Sequence, residues 1–79
     1  MKLKILAFGI TRDIVGGAEI SFETDAKNMA ELRAALEGRY PEIKKLKSLF
    51  IAVNQAYVAE EQPINESDEL ALIPPVSGG

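Results

Sequence analysis

A chain of 79 residues with 47% hydrophobic and 27% charged side chains is one small domain with enough apolar content to fold. A net charge of −3 argues against nucleic acid as a partner, and the lack of Cys, His and Trp removes disulfides, soft metal ligands and most side-chain nucleophiles and bases. No apolar run approaches the ~20 residues of a membrane span, and the opening Met1-Lys2-Leu3-Lys4-Ile5-Leu6 is too short for a signal peptide, so the expected compartment is the cytoplasm.

Lys2 to Phe8 alternates as a strand does, with Leu3, Ile5 and Ala7 on one face and Lys2 and Lys4 on the other. Leu6 and Phe8 break that pattern by placing apolar groups on the Lys face at one end. Thr11 to Gly17 reads as a connection, with Gly16-Gly17 supplying backbone freedom. Ala18 to Thr24 alternates again, Ile20 and Phe22 opposing Glu19, Ser21 and Glu23, and the short link predicts an antiparallel hairpin.

The period then changes. Asn28 caps a predicted helix, and Glu31 three positions on supplies the reciprocal half of a capping box. Met29, Leu32, Ala35 and Leu36 form its apolar stripe, while Glu31, Arg33 and Glu37 face water. Gly38 is the expected C-terminal cap, and Pro41 forbids continuation. Glu42 to Ser48 allows a short irregular turn of helix, and Lys44, Lys45 and Lys47 read as a solvated face.

Leu49 to Val53 is a compact apolar run suited to a buried strand, and Asn54-Gln55 turns the chain into a further strand over Ala56 to Ala59. Pro63 to Ser67 is loop chemistry. Glu69 to Ile73 is the last strand, halted by Pro74. Glu60, Glu61, Glu66 and Asp68 have no spacing that builds a cation loop, so no metal site is assigned. The pattern is α+β, a mixed sheet of about five strands with one main helix on one face. Pairing the first and last strands in parallel at mid-sheet would bury both under the helix stripe, giving the β-grasp, or ubiquitin-like, architecture. Periodicity permits this arrangement without requiring it.

Residues 1–73 thus form the expected domain, followed by an extended tail, Pro74-Pro75-Val76-Ser77-Gly78-Gly79. Two readings of this tail stand on the residues alone. In one, Pro-Pro ends a strand and Gly-Gly is a frayed terminus. In the other, the tail is the working part. Two prolines stiffen its start, two glycines without Cβ pass a narrow channel, and the terminal carboxylate is the reacting group. Six extended residues reach at most ~20 Å, enough to enter another protein while the globule stays outside.

The segments Ala52-Val53-Asn54-Gln55, Gln62-Pro63-Ile64, Asp68-Glu69-Leu70-Ala71 and Pro74-Pro75-Val76-Ser77-Gly78-Gly79 resemble the small subunit of molybdopterin synthase. Ile5-Leu6-Ala7-Phe8 and Thr11-Arg12-Asp13-Ile14-Val15-Gly16 match the start of that family, so the resemblance covers essentially the whole chain. Ser67 departs from it, standing where the family often has Gly.

The resemblance implies a sulfur carrier with no active site of its own and no stably bound cofactor. A partner similar to ubiquitin-activating enzymes would use ATP to adenylate Gly79, and a sulfur donor would convert the adenylate to a thiocarboxylate. The large synthase subunit, in a complex of two small and two large chains, would accept the tail and pass the sulfur to cyclic pyranopterin monophosphate. Phe8, Tyr57 and Ile73, all expected on sheet strands, are the candidate docking residues, although Ile73 serves either the interface or the core. Arg12 and Asp13 receive no chemical role; an exposed ion pair or a loop anchor accounts for them. A ubiquitin-like modifier, or a sulfur carrier for thiamin or tRNA thiolation, would use the same terminal chemistry. The Pro-Pro-Val stem and Val-Asn-Gln segment favour the molybdopterin reading.

Overall fold

The computed structural model describes residues 1–46 and 48–75. Val76, Ser77, Gly78 and Gly79 of the expected tail, and Lys47 of the lysine cluster, lie outside the described residues. Five strands form a single mixed sheet: β1 (Lys2–Ala7), β2 (Glu19–Glu23), β3 (Phe50–Val53), β4 (Ala56–Tyr57) and β5 (Glu69–Ile73). The spatial order is β2-β1-β5-β3-β4. β1 and β5 pair in parallel at the centre, and the other neighbours are antiparallel. The alternation of the first two strands is therefore realised as the expected hairpin, and the first and last strands meet in mid-sheet.

Register explains the core. Leu3 faces Phe22, Ile5 lies between Ile20 and Leu70, and Leu70 continues to Val53. Ala7, Leu72 and Ile51 make the next row. All but Ile20 are buried, and Leu3, Ile5, Leu70 and Leu72 are wholly shielded from solvent. Each fully buried side chain of this size is worth roughly 1.5–3 kcal/mol, so one face of the central strands carries much of the stability.

Above that face lies α2 (Met29–Arg39), which buries Met29, Leu32 and Leu36. Asn28 Oδ1 accepts the Glu31 N–H at 2.9 Å. The reciprocal bond lands one residue earlier than a standard capping box, since Glu31 Oε1 accepts from Lys27 N–H at 2.9 Å. Arg33, expected to face water, is half-buried; it donates from Nη1 to the Leu49 carbonyl at 2.9 Å and sits 3.6 Å from Glu60.

Gly38 is not the cap. The helix continues through Arg39 and closes with Tyr40 N–H donating to Leu36 O at 2.7 Å. Pro41 decides this end, because the residue before a proline is driven out of helical geometry, and Tyr40 sits at φ −127°, ψ 80°. A 3-10 helix over Pro41–Lys45 follows, confirming a short helical turn at the start of 42–48; Lys44 and Lys45 are exposed.

Two more corrections concern short elements. The connection read over 11–17 contains a helix, α1 (Ile10–Val15), ended by Gly16 in the left-handed region at φ 91°. β4 spans two residues rather than four. No helix among the described residues is long and apolar enough to cross a membrane.

Candidate functional site

Alternation sends every second residue of the same strands to the sheet face opposite α2. Across this face run Leu6, Ala71, Ala52 and Tyr57, each in register with the next, and Phe50 pairs with Ile73 one step along. Two alanines in the middle, with bulky groups around them, leave a groove of about 490 Å³ lined by Leu6, Phe8, Ala52, Tyr57, Ala71 and Ile73. Gln55 and Glu69 supply its polar margin.

All three residues singled out from sequence meet here. Phe8 is 42% exposed and Tyr57 66%, whereas Ile73 is half-buried. Phe8 is not on a strand as expected, since β1 ends at Ala7. It begins the loop into α1, its N–H donating to the Leu72 carbonyl at 3.3 Å. Sequence reasoning missed Phe50, which is half exposed and packs its ring 5.2 Å from that of Tyr57. Position within a uniformly apolar run hid it. Leu6 was not singled out as a docking residue either, although its interruption of the Lys face of β1 was the signal for it.

The β2 side of this face is polar. Lys2, Lys4, Glu19, Ser21 and Glu23 are exposed, with Lys4 Nζ 3.7 Å from Glu19. An apolar groove thus abuts a charged border, the layout of a protein-binding surface with a desolvated centre and wet rim.

The Val-Asn-Gln and Asp-Glu-Leu segments have a shared structural cause. Asn54 (φ 52°) and Gln55 (φ 69°) form the β3–β4 turn with both residues left-handed, the primed geometry a tight hairpin needs. Asn54 is then clasped to the entry of β5: its N–H donates to Glu69 O at 2.7 Å, its Oδ1 accepts from Glu69 N–H at 2.9 Å, and its Nδ2 donates to Asp68 Oδ1 at 3.0 Å. Asp68 Oδ2 accepts the Asn65 N–H at 2.8 Å, so this carboxylate organises a loop. Ser67 is not among the residues of positive φ, so this turn does not call for the glycine the family often has there.

Beside the groove, β5 ends at Ile73 and the chain leaves through the half-buried Pro74 and Pro75. Pro74 rests on Gly9. A Cβ built on Gly9 would lie 3.0 Å from Pro74 Cγ, and Gly9 holds φ 57°, ψ −135°, a region closed to other residues. Thr11, fully buried, ties this corner together: its Oγ1 accepts from Phe8 N–H at 2.9 Å and donates to Phe8 O. Arg12 anchors the same loop, donating from Nε to Ala7 O at 3.1 Å.

The fold and this face define a class: a ubiquitin-like β-grasp protein whose last central strand leads out through a Pro-Pro stem beside an apolar groove. The chain belongs to the ThiS family, which it matches over residues 5–79. It is 37% identical over 83 aligned residues to the molybdopterin synthase sulfur carrier subunit of Dictyostelium discoideum, covering 99% of this chain and 96% of that one. Among solved structures it resembles a putative molybdopterin converting factor subunit 1 from Pyrococcus furiosus, with TM-score 0.83 and 23% identity over 96% of this chain and 99% of the other. It also resembles a chain in the complex of subunits 1 and 2 of molybdopterin-converting factor from Helicobacter pylori, with TM-score 0.68 and 26% identity over the full length of both.

Proposed function

We propose that this protein is the sulfur-carrier subunit of a molybdopterin synthase, acting in the cytoplasm. The observation that carries the reading is the apolar groove beside the exit of β5, in a chain whose family match runs through Gly79. The groove docks the large subunit and the adenylating enzyme in turn through Phe8, Tyr57 and Ile73. Pro74, Pro75, Val76, Ser77 and Gly78 form the extended stem that delivers Gly79 to each partner's active site. The assembled synthase contains two small and two large chains.

The chemistry follows from what a carboxylate lacks. An ionised carboxylate is a poor electrophile, and its oxygen is a poor leaving group. In the partner enzyme, a Gly79 carboxylate oxygen attacks the α-phosphorus of ATP and pyrophosphate leaves. A sulfur nucleophile at the hydrosulfide level then attacks the acyl carbon; a C–S bond forms, the C–O bond to AMP breaks, and the thiocarboxylate remains. In the synthase that sulfur attacks an electrophilic carbon of cyclic pyranopterin monophosphate; a C–S bond forms as a C–O bond at the same carbon breaks, and the released oxygen takes up a proton. Water cleaves the acyl–sulfur bond, returning Gly79 to a carboxylate and leaving sulfur on the pterin. The carrier needs no resident cofactor for this, since the adenylating partner consumes the ATP.

Intact-mass measurement tests the reading. After incubation with an adenylating enzyme, ATP and a sulfur source, the expected result is replacement of one oxygen by sulfur at the C-terminus. Removal of Gly79, or addition of one residue after it, abolishes transfer with the fold intact. Full transfer by either variant overturns the mechanism, and covalent adducts to lysines of other proteins would instead make the chain a modifier.

A further inference from the structure

The corner formed by residues 8–11 meets the root of the tail across 65 positions of sequence, from Gly9 to Pro74. Leu72 is the last residue of β5 wholly shielded from solvent, and its carbonyl accepts from Phe8 N–H at 3.3 Å. Thr11 Oγ1 lies 3.5 Å from that same carbonyl while bonded to both the N–H and the carbonyl of Phe8. A hydroxyl has one proton, which goes to Phe8 O as the nearer acceptor, so Thr11 fixes Phe8 and Phe8 in turn holds Leu72. One residue on, Gly9 presents a bare Cα to the Pro74 ring in a backbone region that side-chain-bearing residues avoid. A methyl there would meet the Pro74 ring at 3.0 Å, and the ring or the loop would have to give by a few tenths of an ångström.

We propose that Gly9 and Thr11 are positioning residues for the C-terminal tail: the Thr11-braced loop and bare Gly9 Cα form a seat for Pro74 that sets the direction in which the chain leaves the sheet. The inference rests on the carrier reading and adds to it a second determinant of delivery, made by residues that do not themselves line the docking groove, although Thr11 braces the backbone of Phe8, which does. Direction at the root matters because a small rotation at Pro74 is amplified over the residues between it and Gly79. A misplacement of about 1 Å at the reacting group can cost on the order of 10²-fold in rate.

Gly16 supplies the control. It too needs a left-handed backbone, at φ 91°, yet a Cβ there meets nothing within 4 Å. Single-turnover sulfur transfer from thiocarboxylated carrier to the pterin on the large subunit is measured for the intact chain, Gly9→Ala and Gly16→Ala, at a temperature where all are folded. Gly9→Ala is expected to lower the rate at saturating carrier on the order of 10-fold or more, with the half-saturating concentration within about twofold. Gly16→Ala is expected to lower the melting temperature comparably and keep the rate. Equal rates for Gly9→Ala and the intact chain, or an equal loss in Gly16→Ala, overturn the proposal. If Gly9→Ala does not fold, Thr11 decides: Thr11→Val lowers the saturated rate and Thr11→Ser restores it, whereas equal rates for these two overturn it. An intact chain that accepts no sulfur overturns the carrier reading and this inference together; an active intact chain with unimpaired variants overturns the inference alone.

Discussion

Leu72 and Ile73 are neighbours in sequence on one strand, yet Leu72 is wholly buried in the core while Ile73 lines an open groove. The same contrast holds for Ile5 against Leu6 and for Leu70 against Ala71. One sheet thus has a face that spends its apolar area on folding and a face that keeps it available. The difference lies in the period of two, not in composition. It separates stability from recognition cleanly enough that substitutions on one face should leave the other's property nearly untouched.

The largest expected effect is on the packed face. Leu70→Ala, in the central row, should cost about 2–5 kcal/mol in a urea titration. Its partner affinity, measured where it remains folded, should be close to that of the parent chain. On the open face, Phe8→Glu and Tyr57→Ala should each weaken large-subunit binding by about 2 kcal/mol or more, with stability changed by less than about 1 kcal/mol. Calorimetric titration and thermal melts of the same samples give both numbers, and the reverse ranking would return Phe8 to the core. Asn54→Ala removes the clasp between the β3–β4 turn and β5 and places alanine at a positive φ; we expect a loss of about 1–2 kcal/mol, read in the denaturation midpoint. The smallest effect is a gain. Gly38→Ala, exposed inside α2 with open space around it, should stabilise by about 0.5–1 kcal/mol, raise the melting temperature by a few degrees, and leave binding unchanged.

Much of this was readable in the chain. β5 falls at the residues read for it ahead of the Pro74 stop, and β1 and β2 lie within their alternating stretches, because a period of two with one buried face fixes register strongly. Leu6 and Phe8 violate that period, and the groove lies where they do. Other features were illegible for physical reasons. α1 is six residues long, too few for an apolar stripe to declare itself. Gly38 and Pro41 both signal a helix end, and only the proline's steric demand acts. Thr11 looks like any turn residue until the fold buries it. Gly9 passes for a flexible spacer because its contact, Pro74, lies at the other end of the chain.

The mid-sheet place of β5 has a consequence for synthesis. β1 and β3 cannot be joined until residues 69–73 have emerged from the ribosome, and such non-local pairing is slow to form. A nascent chain that lacks β5 therefore has neither the finished groove nor the contact between Gly9 and Pro74. Both come into being with the same strand insertion.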